Sequence, residues 1–542
     1  MSCCSRSDLA RKFGIVLILG SVAAFPVCSK DPGQNTATRP FQKTLTLGAN
    51  QAVSLTHKYG DVRIHGENGR EVRISATIRV QAHSQADADK YADQVRIDVS
   101  LDSQGVKIET VYPSDNSKFS VVRVGAPSFS VDYDVTIPSD AKLWMKNSFG
   151  NVEVQGVQGW ADLENSHGQL KFRDGGAAKL TNSFGEVQVT GANGNVAVNN
   201  NNAAVAASSV KGTLDIKDRF APITANNISG AVTITGGNGP VEVTDAGLTK
   251  INNSFGSVAT RNIHGDVIVN NNNGTIDADT VSGGAQLNGS FGSISVANVS
   301  SNVRCTSSNG KVSGRMLGSD VYVKTTFGEV SLEQVGGAVE VEDSNGGITV
   351  REIKGRASFN TSFGSIDASG LGKGVRATTG NGRISLHDVG GDSYAKTSFG
   401  SVDVRRVDGN LIIENSNGPV SASGVKGDAS AKTSFASVTL EDVSGTITVD
   451  NQNGAVSVSA ARTSGGCKNV SLKTSFAPIQ VRLPGDAGYE LTARTSFGHI
   501  SSALPVTSTG TIGGDSLNGR IGSGGCPLSL TNANGNIEIL KL

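Results

Sequence analysis

The sequence predicts an all-β protein: a parallel β-solenoid (β-helix) of about 22 rungs of about 18 residues each, with a small β-rich N-terminal cap that contains one helix. Three observations predict this fold. A Ser-Phe-Gly phrase returns about every 36 residues, an Asn-Gly phrase lies halfway between its copies, and apolar residues alternate with polar ones between the phrases. Because a fixed short period indicates stacked units that contact only their neighbours, a mosaic of enzyme domains is not expected.

One unit, residues 428–445, indicates how a rung forms. Its apolar and polar residues alternate in two short segments, and the alternation breaks after Phe435 and after Val443. Alternation places Leu440 and Val443 on the interior side of the strands and Lys432 on the outer side. A unit this small cannot bury its apolar side alone, so the core must be closed by stacking.

The recurring phenylalanines are expected to fill a corner of this core. Phe435 has the same parity as Ala431 and Thr433 in the preceding strand, which favours burial over exposure. If the column is exposed instead, it forms a candidate aromatic binding strip. The residues of that candidate strip are Phe327, Phe363, Phe399 and Phe435.

Two polar columns are expected to be structural. Asn or Thr recurs two residues before the Phe of each Ser-Phe-Gly phrase and before the Asn of each Asn-Gly phrase. There its side chain can form a hydrogen bond with the backbone of the turn. One position earlier, an outward column alternates in sign, which favours pairing across adjacent rungs and explains the two-rung superperiod better than a ligand does. Its members include Lys324, Glu342, Lys396, Glu414, Lys432 and Asp450. With 48 basic and 48 acidic residues, no nucleic-acid partner is expected.

Residues 1–29 are predicted to be a secretory signal peptide. Arg11 and Lys12 precede an apolar run over 13–27 that is too short for a permanent membrane helix. Two processing routes are open to the leader: cleavage near Ser29 or lipidation of Cys28. Lipidation is the only membrane attachment expected. The protein is therefore expected to be exported to the periplasm or the cell surface.

Residues 30–44 are expected to be a linker, 45–140 an N-terminal capping region and 141–542 the solenoid. A cap is needed because an open first rung exposes unpaired strand edges. In the cap we expect a helix over 84–94 with Ser84 as its N-cap, and a loop over 112–127. Strands are expected over 71–80, 95–101, 106–111 and 128–137.

Three cysteines follow the leader. Cys305 has inward parity and is expected to be a buried free thiol. Cys467 and Cys526 end matching Ser-Gly-Gly-Cys phrases, but in chain order their rungs are about three apart, or about 14 Å, beyond the reach of a disulfide. A bridge is therefore not expected, although the irregular spacing of this segment leaves it open.

No catalytic, cofactor or metal site is predicted. The seven histidines are scattered without the spacing of metal ligands. The densest acidic cluster, Glu340, Glu342 and Asp343, is interpreted as part of a solvated face and a corner. A polysaccharide-acting β-helix enzyme (a lyase or hydrolase) remains the alternative, because such enzymes need acids that converge on one face.

The phrase Tyr59-Gly60-Asp61-Val62, the strand Val135-Thr136-Ile137-Pro138 and the repeated Asn-Gly-x-Val-x-Val pattern resemble the bacterial putative-adhesin family of β-solenoid domains, which is similar to autotransporter-adhesin head domains. The resemblance covers roughly residues 45–542. It implies a non-enzymatic adhesin, or an envelope binding or scaffold protein, that acts through its extended flat faces on a cell-surface glycan or an envelope protein. A further alternative is an envelope filament built by end-to-end stacking.

Overall fold

A computed structural model describes residues 35–113, 127–461, 466–508 and 513–542. The expected leader with Cys28, and most of the expected loop over 112–127, lie outside the described residues. The N-terminal elements are β1 (Asn35–Thr46), β2 (Ala52–Thr56), β3 (Val62–Glu67), β4 (Glu71–Ala82), α1 (Gln85–Ala92), β5 (Arg96–Leu101), β6 (Gly105–Val111) and β7 (Ser128–Pro138).

The repeat consists of short strands in chain order. They are β8 (Lys142–Lys146), β9 (Val152–Gln155), β10 (Ala161–Glu164), β11 (Leu170–Arg173), β12 (Ala178–Thr181), β13 (Val187–Thr190), β14 (Val196–Asn199), β15 (Val205–Val210), β16 (Leu214–Lys217), β17 (Ile223–Ile228), β18 (Val232–Thr235), β19 (Val241–Ala246), β20 (Thr249–Phe255), β21 (Val258–Ile263), β22 (Val267–Asn273), β23 (Ile276–Val281), β24 (Ala285–Phe291), β25 (Ile294–Val299), β26 (Val303–Thr306), β27 (Val312–Leu317), β28 (Val321–Lys324), β29 (Val330–Val335), β30 (Val339–Glu342), β31 (Ile348–Ile353), β32 (Ala357–Asn360), β33 (Ile366–Leu371), β34 (Val375–Thr378), β35 (Ile384–Val389), β36 (Ser393–Thr397), β37 (Val402–Val407), β38 (Leu411–Asn415), β39 (Val420–Val425), β40 (Ala429–Lys432), β41 (Val438–Val443), β42 (Ile447–Asp450), β43 (Val456–Ala460), β44 (Val470–Thr474) and β45 (Ile479–Leu483).

The C-terminal strands are β46 (Tyr489–Phe497), β47 (Ile500–Ser502), β48 (Val506–Ser508), β49 (Ser516–Ile521), β50 (Cys526–Asn534) and β51 (Ile537–Lys541).

The predicted parallel β-solenoid is confirmed. Odd-numbered repeat strands form one sheet, sheet A, and even-numbered ones the other, sheet B. Each strand pairs in parallel with the strand about 18 residues later, as Lys432 does with Asp450. The inward residues Leu440 and Val443 are buried between the sheets. Each rung therefore contributes one strand to each sheet, and the core runs along the whole stack.

The second bend of a rung is made by a residue in the left-handed region, a conformation that non-glycine residues rarely adopt. Asp442 has φ 56°, and Asn298, Met316 and Arg406 occupy equivalent positions in their rungs. Because this bend changes the direction of the chain, two exposed residues can precede Val443 and that valine still faces the core. The break in alternation near Val443 is therefore a bend, as the sequence indicated.

Both ends of the solenoid depart from chain order. At the N-terminal end, the rung of β2 and β3 lies between the rung of β8 and β9 and the rung of β6 and β7. At the C-terminal end, β50 and β51 lie between the rung of β44 and β45 and the rung of β46 and β47. The last rung in space is therefore not the last rung in sequence.

This rearrangement corrects the prediction for Cys467 and Cys526. Because β50 pairs directly with β44, the two cysteines lie on neighbouring rungs rather than three rungs apart. Their Cα atoms are 5.7 Å apart and they form a disulfide. The bridge joins the inserted C-terminal rung to the repeat. Cys305, as predicted, is a buried free thiol, and burial raises its pKa to about 12.

Antiparallel strands cover the ends of both sheets at the N-terminus. On sheet A, β1 pairs with β4 and β4 with β7, while β5 pairs with β6 on sheet B. Of the expected linker over 30–44, residues 35–44 are therefore strand. The predicted helix is present as α1, and the Ser84 hydroxyl accepts a hydrogen bond from the Asp87 amide at 3.1 Å. At the C-terminal end, β49 and β48 cover sheet B.

The outward charge column is confirmed as a series of cross-rung ion pairs. Lys324 Nζ lies 2.9 Å from Glu342 Oε2, and Lys396 Nζ lies 3.0 Å from Glu414 Oε2. In the next rungs, Lys432 lies in register between Glu414 and Asp450. These solvent-exposed pairs each contribute little, about 0.2 to 1 kcal/mol.

Candidate functional site

The phenylalanine column is exposed, so the prediction that it fills the core is wrong. Phe327, Phe363, Phe399 and Phe435 are between 61% and 65% exposed. They belong to one line along the solenoid, here called the phenylalanine ladder. Its members are Phe149, Phe184, Phe220, Phe255, Phe291, Phe327, Phe363, Phe399, Phe435, Phe476 and Phe497, and all are exposed.

The expectation of burial failed because side-chain parity does not continue through a turn. Thr433, the last residue of the inward series, is buried as expected. The chain then turns, and the amide of Phe435 donates to the carbonyl of Ser416 in the rung below at 3.0 Å. This backbone bond holds Phe435 at the tip of the corner with its side chain outside.

Asparagines occupy the rungs between successive phenylalanines. Asn273 pairs in register with Phe255 on one side and with Phe291 on the other. In the later rungs the asparagine amide bends along the solenoid axis: Asn345 Nδ2 donates to the carbonyl of Thr326 at 3.0 Å, and Asn417 Nδ2 to that of Ser398 at 3.1 Å. One corner of the solenoid therefore presents phenylalanine and asparagine in alternate rungs.

The inner polar column confirms its predicted structural role. Asn415 Nδ2 donates to the carbonyl of Gly418 at 2.6 Å and to that of Gly400 in the rung below at 2.9 Å. Where threonine replaces asparagine, Thr397 Oγ1 donates to the carbonyl of Gly382 at 3.1 Å. These bonds fix the turn that carries the ladder.

At the N-terminal end of the ladder the aromatic rings are continuous. Tyr59, Phe149, His167 and Phe184 lie on four successive rungs, with ring centroids 5.4, 4.6 and 4.8 Å apart and planes within 17° of parallel. Because the centroid spacing is close to the rung spacing and the planes are nearly parallel, the rings stack from rung to rung. His167 thus fills the gap that asparagine leaves elsewhere. Sequence reasoning missed both Tyr59 and His167 as ladder positions. His167 could have been found, because it lies 18 residues, or one rung, after Phe149.

The outer positions of the ladder corner carry no charge over most of its length. Each corner between residues 254 and 454 reads Ser-Phe-Gly, Ser-Asn-Gly or a close variant, in a chain with 18% charged residues. Depletion of charge together with aromatic enrichment is typical of the centre of a protein interface rather than of a solvated face. The corner therefore has the composition of a contact surface.

A second surface feature is a groove of about 940 Å³ on the outer face of sheet B, over the strands from β22 to β34. The Arg304 guanidinium lies over the Tyr322 ring at 4.2 Å, and Arg376 lies over Tyr394 at the same distance. Glu340 lines the groove between Tyr322 and Ser358. The groove is therefore lined by both signs of charge.

The other acids that line the groove bond to backbone. Asp266, Asp320 and Asp392 each accept the amide of the next rung at 2.8 Å, so they hold the turns together. Of the predicted acidic cluster, only Glu340 lines the groove. The ion pair with Lys324 holds the pKa of Glu342 below its usual range.

Asp343 lies at the ladder corner, where its carboxylate accepts the Ser344 amide at 2.7 Å and burial raises its pKa. The three predicted acids thus have three different environments. Among the described residues, no group of histidine, cysteine, aspartate or glutamate has the arrangement of a metal site.

A buried titratable cluster lies in the cap. His57 Nδ1 is 3.1 Å from Thr110 Oγ1, which is 2.6 Å from the Tyr133 hydroxyl. Burial lowers the pKa of His57 to about 4, so the ring is neutral near neutral pH. The cluster links the residue that follows β2 in the inserted rung to β6 and β7 in the rung beyond it.

The fold defines the protein as a parallel β-solenoid with an aromatic corner. Residues 373–540 match the Toastrack DUF4097 family, which confirms the family resemblance for this part of the repeat. A comparison with curated proteins gave no match. No helix in the described part of the chain has the length and apolar character needed to span a membrane.

Solved structures of similar proteins were also found. A "putative cell adhesion protein" from Clostridium sporogenes shares 9% identity with a TM-score of 0.21, covering 38% of this chain and 99% of its own. A "putative lipid binding protein" from Parabacteroides distasonis shares 12% identity with a TM-score of 0.17, covering 62% and 96%. A "putative adhesin" from the same organism shares 12% identity with a TM-score of 0.13, covering 65% and 97%.

Proposed function

We propose that this protein is an exported, non-enzymatic binding scaffold of the cell envelope, and that the phenylalanine ladder is its interaction surface. The observation that carries the proposal is the exposure of the ladder phenylalanines along an uncharged corner. At about 200 Å² per phenylalanine, these exposed fractions amount to roughly 1,300 Å² of aromatic surface. A regular row of exposed phenylalanines on one corner is unusual for a solvated face, because aromatic side chains are enriched where proteins bind partners.

Two observations support export to the periplasm or the cell surface. The sequence begins with a predicted signal peptide, and a disulfide joins Cys467 to Cys526. Disulfides persist in oxidising compartments and are rare in the cytosol. Lipidation of Cys28 remains the proposed route of membrane attachment.

The alternatives receive less support. End-to-end stacking into a filament requires open terminal rungs, and antiparallel strands cover both sheets at the N-terminal end and sheet B at the other. Polysaccharide cleavage requires acids that converge, and three of the acids in the sheet B groove are acceptors for backbone amides. A binding role, in contrast, accounts for the exposed phenylalanines of the ladder corner.

The experiment compares binding of the purified chain to isolated cell envelopes with binding by a ladder variant. The variant carries Phe327→Asn, Phe363→Asn, Phe399→Asn and Phe435→Asn, and asparagine already occupies the equivalent corner of the neighbouring rungs. The control is Met316→Asn, which removes a 40% exposed apolar side chain at a bend where Asn298 is the native equivalent.

We expect the ladder variant to lose sedimentation with the envelopes, while the control keeps it. Protease-treated envelopes and purified envelope polysaccharide separate a protein partner from a glycan. Equal binding by the wild-type chain and the folded ladder variant would refute the ladder as the interaction surface.

A further inference from the structure

We propose that the partner of the phenylalanine ladder is the ladder of a second copy of this chain, joined in an antiparallel two-fold dimer whose phenylalanine rings interleave. This inference rests on the proposed function and deepens it: the ladder joins two copies, and a dimer that holds the envelope at two places loses binding when the ladder is removed. It is carried by the spacing of the ladder, by the aromatic stack at its N-terminal end and by the area it exposes.

The spacing leaves a slot between successive rings. From Phe255 to Phe435 the phenylalanines recur every 36 residues, and each rung has 18. Two rungs span about 9.6 Å, which is twice the distance between stacked aromatic rings. The asparagine between them bends onto the rung below, as Asn345 does toward Thr326, and does not extend as far as a phenyl ring. Each slot can therefore accept one flat ring from outside.

The stack at the N-terminal end shows what such a slot holds. His167 lies between Phe149 and Phe184, with centroid distances of 4.6 and 4.8 Å and planes nearly parallel to both. A ring from another molecule would occupy the same place between Phe363 and Phe399. The occupant must carry flat rings that point outward at intervals of about 9.6 Å, and this is what a second ladder presents.

The interleaving fixes the orientation of the two copies. A two-fold axis parallel to the solenoid axis keeps every residue at the same height, so phenylalanine would face phenylalanine. A two-fold axis perpendicular to the solenoid reverses the direction of the partner and allows its ladder to be offset by one rung. Since closed homodimers use two-fold symmetry, the structure assigns an antiparallel arrangement.

The area is sufficient for a specific dimer. If each copy buries half of the roughly 1,100 Å² that the phenylalanines from Phe220 to Phe497 expose, the two together bury about 1,100 Å² before flanking atoms are counted. Specific interfaces bury about 1,200 to 2,000 Å² in total. Between residues 254 and 454 the outer residues of the corner are uncharged, and the flanking charges of Lys311 and Glu329 are paired with each other at 3.7 Å.

The first test is the mass of the purified full chain by sedimentation equilibrium, at several concentrations. The chain has a mass of 55.7 kDa, and we expect a reversible dimer. The variant with Phe327, Phe363, Phe399 and Phe435 all changed to Asn should raise the dimer dissociation constant by more than about a hundredfold, because it removes central aromatic contacts. The Met316→Asn control should leave it unchanged.

The second test fills the slots. Asn345→Phe, Asn381→Phe and Asn417→Phe add apolar surface but occupy the places that the partner's rings need, and the native N-terminal stack shows that rings on successive rungs are tolerated. Interleaving predicts weaker dimerisation, by tenfold or more. General apolar association predicts the opposite, so tighter binding by this variant would overturn the inference.

Orientation is tested with a spin label at Thr233→Cys, which lies off-centre on the outer face of β18. At full overlap of the ladders, the two labels should lie about 50 Å apart or more in an antiparallel dimer, and much closer in a parallel one. Closely spaced labels would overturn the antiparallel assignment.

The outcomes also separate this inference from the proposed function. If the wild-type chain is a monomer and the ladder variant still loses envelope binding, the dimer is refuted and the ladder remains an interaction surface. If the wild-type chain is a monomer and the variant binds envelopes normally, both are refuted.

Discussion

Two phenylalanines in one rung allow a direct test of where the core ends. Phe359 lies in β32 and is 1% exposed, whereas Phe363 lies four residues later at the ladder corner and is 61% exposed. We expect Phe359→Ala to destabilise the solenoid far more than Phe363→Ala, although the two changes remove the same atoms from neighbouring places.

The magnitudes follow from the area that each ring removes from water. Truncating a fully buried phenylalanine exposes or empties about 150 Å², worth about 4 kcal/mol at 25 cal/mol per Å². With the cavity included, the loss for Phe359→Ala should be about 3 to 5 kcal/mol. Phe363 has roughly two fifths of its surface covered and leaves no cavity, so its truncation should remove about 1.5 kcal/mol or less.

The assay is hydrogen exchange of the amides in β30, β32 and β34, supported by urea unfolding at concentrations where the chain is monomeric. A local measurement is needed because repeat proteins can unfold in parts. Protection around β32 should collapse in Phe359→Ala and stay close to wild type in Phe363→Ala. Equal losses in the two variants would show that the ladder belongs to the core and would refute the argument for an exposed contact surface.

Lys432→Glu places three acids in line and should destabilise its neighbourhood by up to about 1 kcal/mol at low salt and less at high salt; a salt-independent thermal midpoint would contradict the register. The pKa of His57 is about 4 in the folded protein, below the value of about 6.5 in the unfolded chain, so the unfolded state binds the proton first. The free energy of unfolding should therefore fall by up to about 3 kcal/mol as the pH drops from about 6.5 to 4. His57→Gln should flatten this part of the stability profile, and an unchanged profile would contradict the assignment. The double change Cys467→Ser and Cys526→Ser removes a disulfide that closes a loop of 59 residues, and it should destabilise the C-terminal rungs by up to roughly 4 kcal/mol. Hydrogen exchange measures this loss, and the double change of the same cysteines to alanine is the control. The purified chain should release no reducing ends or unsaturated products from uronate or neutral polysaccharides; turnover that Glu340→Gln abolishes would establish the enzyme instead.

The repeat itself could be predicted because its information is local and repeated. Alternation assigns Leu440 to the core, and the fixed period assigns Lys432 a neighbour in each adjacent rung. The exposure of Phe435 could not be predicted this way, because parity is a property of extended strands and the turn after Thr433 does not preserve it. The corner had to be seen in three dimensions before the ladder became a candidate site.

The order of the terminal rungs was also beyond local reasoning. Nothing within β50 indicates that it pairs with β44 rather than following β47, because both placements satisfy the same alternation. The matching Ser-Gly-Gly-Cys phrases that end at Cys467 and Cys526 are the one sequence signal that the two rungs are neighbours. The distance estimated from chain order, about three rungs, opposes that interpretation. The disulfide confirms that a shared phrase can mark adjacent rungs even where the chain order does not.

The two-rung superperiod has a second physical source besides charge. The charge column lapses at Asn360 and Thr378, which lie in register between Glu342 and Lys396. Over the same rungs the corner continues to alternate phenylalanine with asparagine. Charge pairing, which the sequence favoured over a ligand as the cause of the superperiod, therefore accounts for only part of it.

The C-terminal end shows that the alternation of phenylalanine and asparagine follows neighbours in space rather than in sequence. In sequence, Phe497 follows Phe476 and Asn534 comes last, so alternation is lost along the chain. In space, Asn534 is paired with Phe497 on one side, and its amide donates to the carbonyl of Ser475, next to Phe476, on the other. The order along the corner is thus phenylalanine, asparagine, phenylalanine, as in the rest of the ladder. The alternation follows spatial neighbours even where the chain is rethreaded, which is expected if the slots between the rings are what the corner must keep.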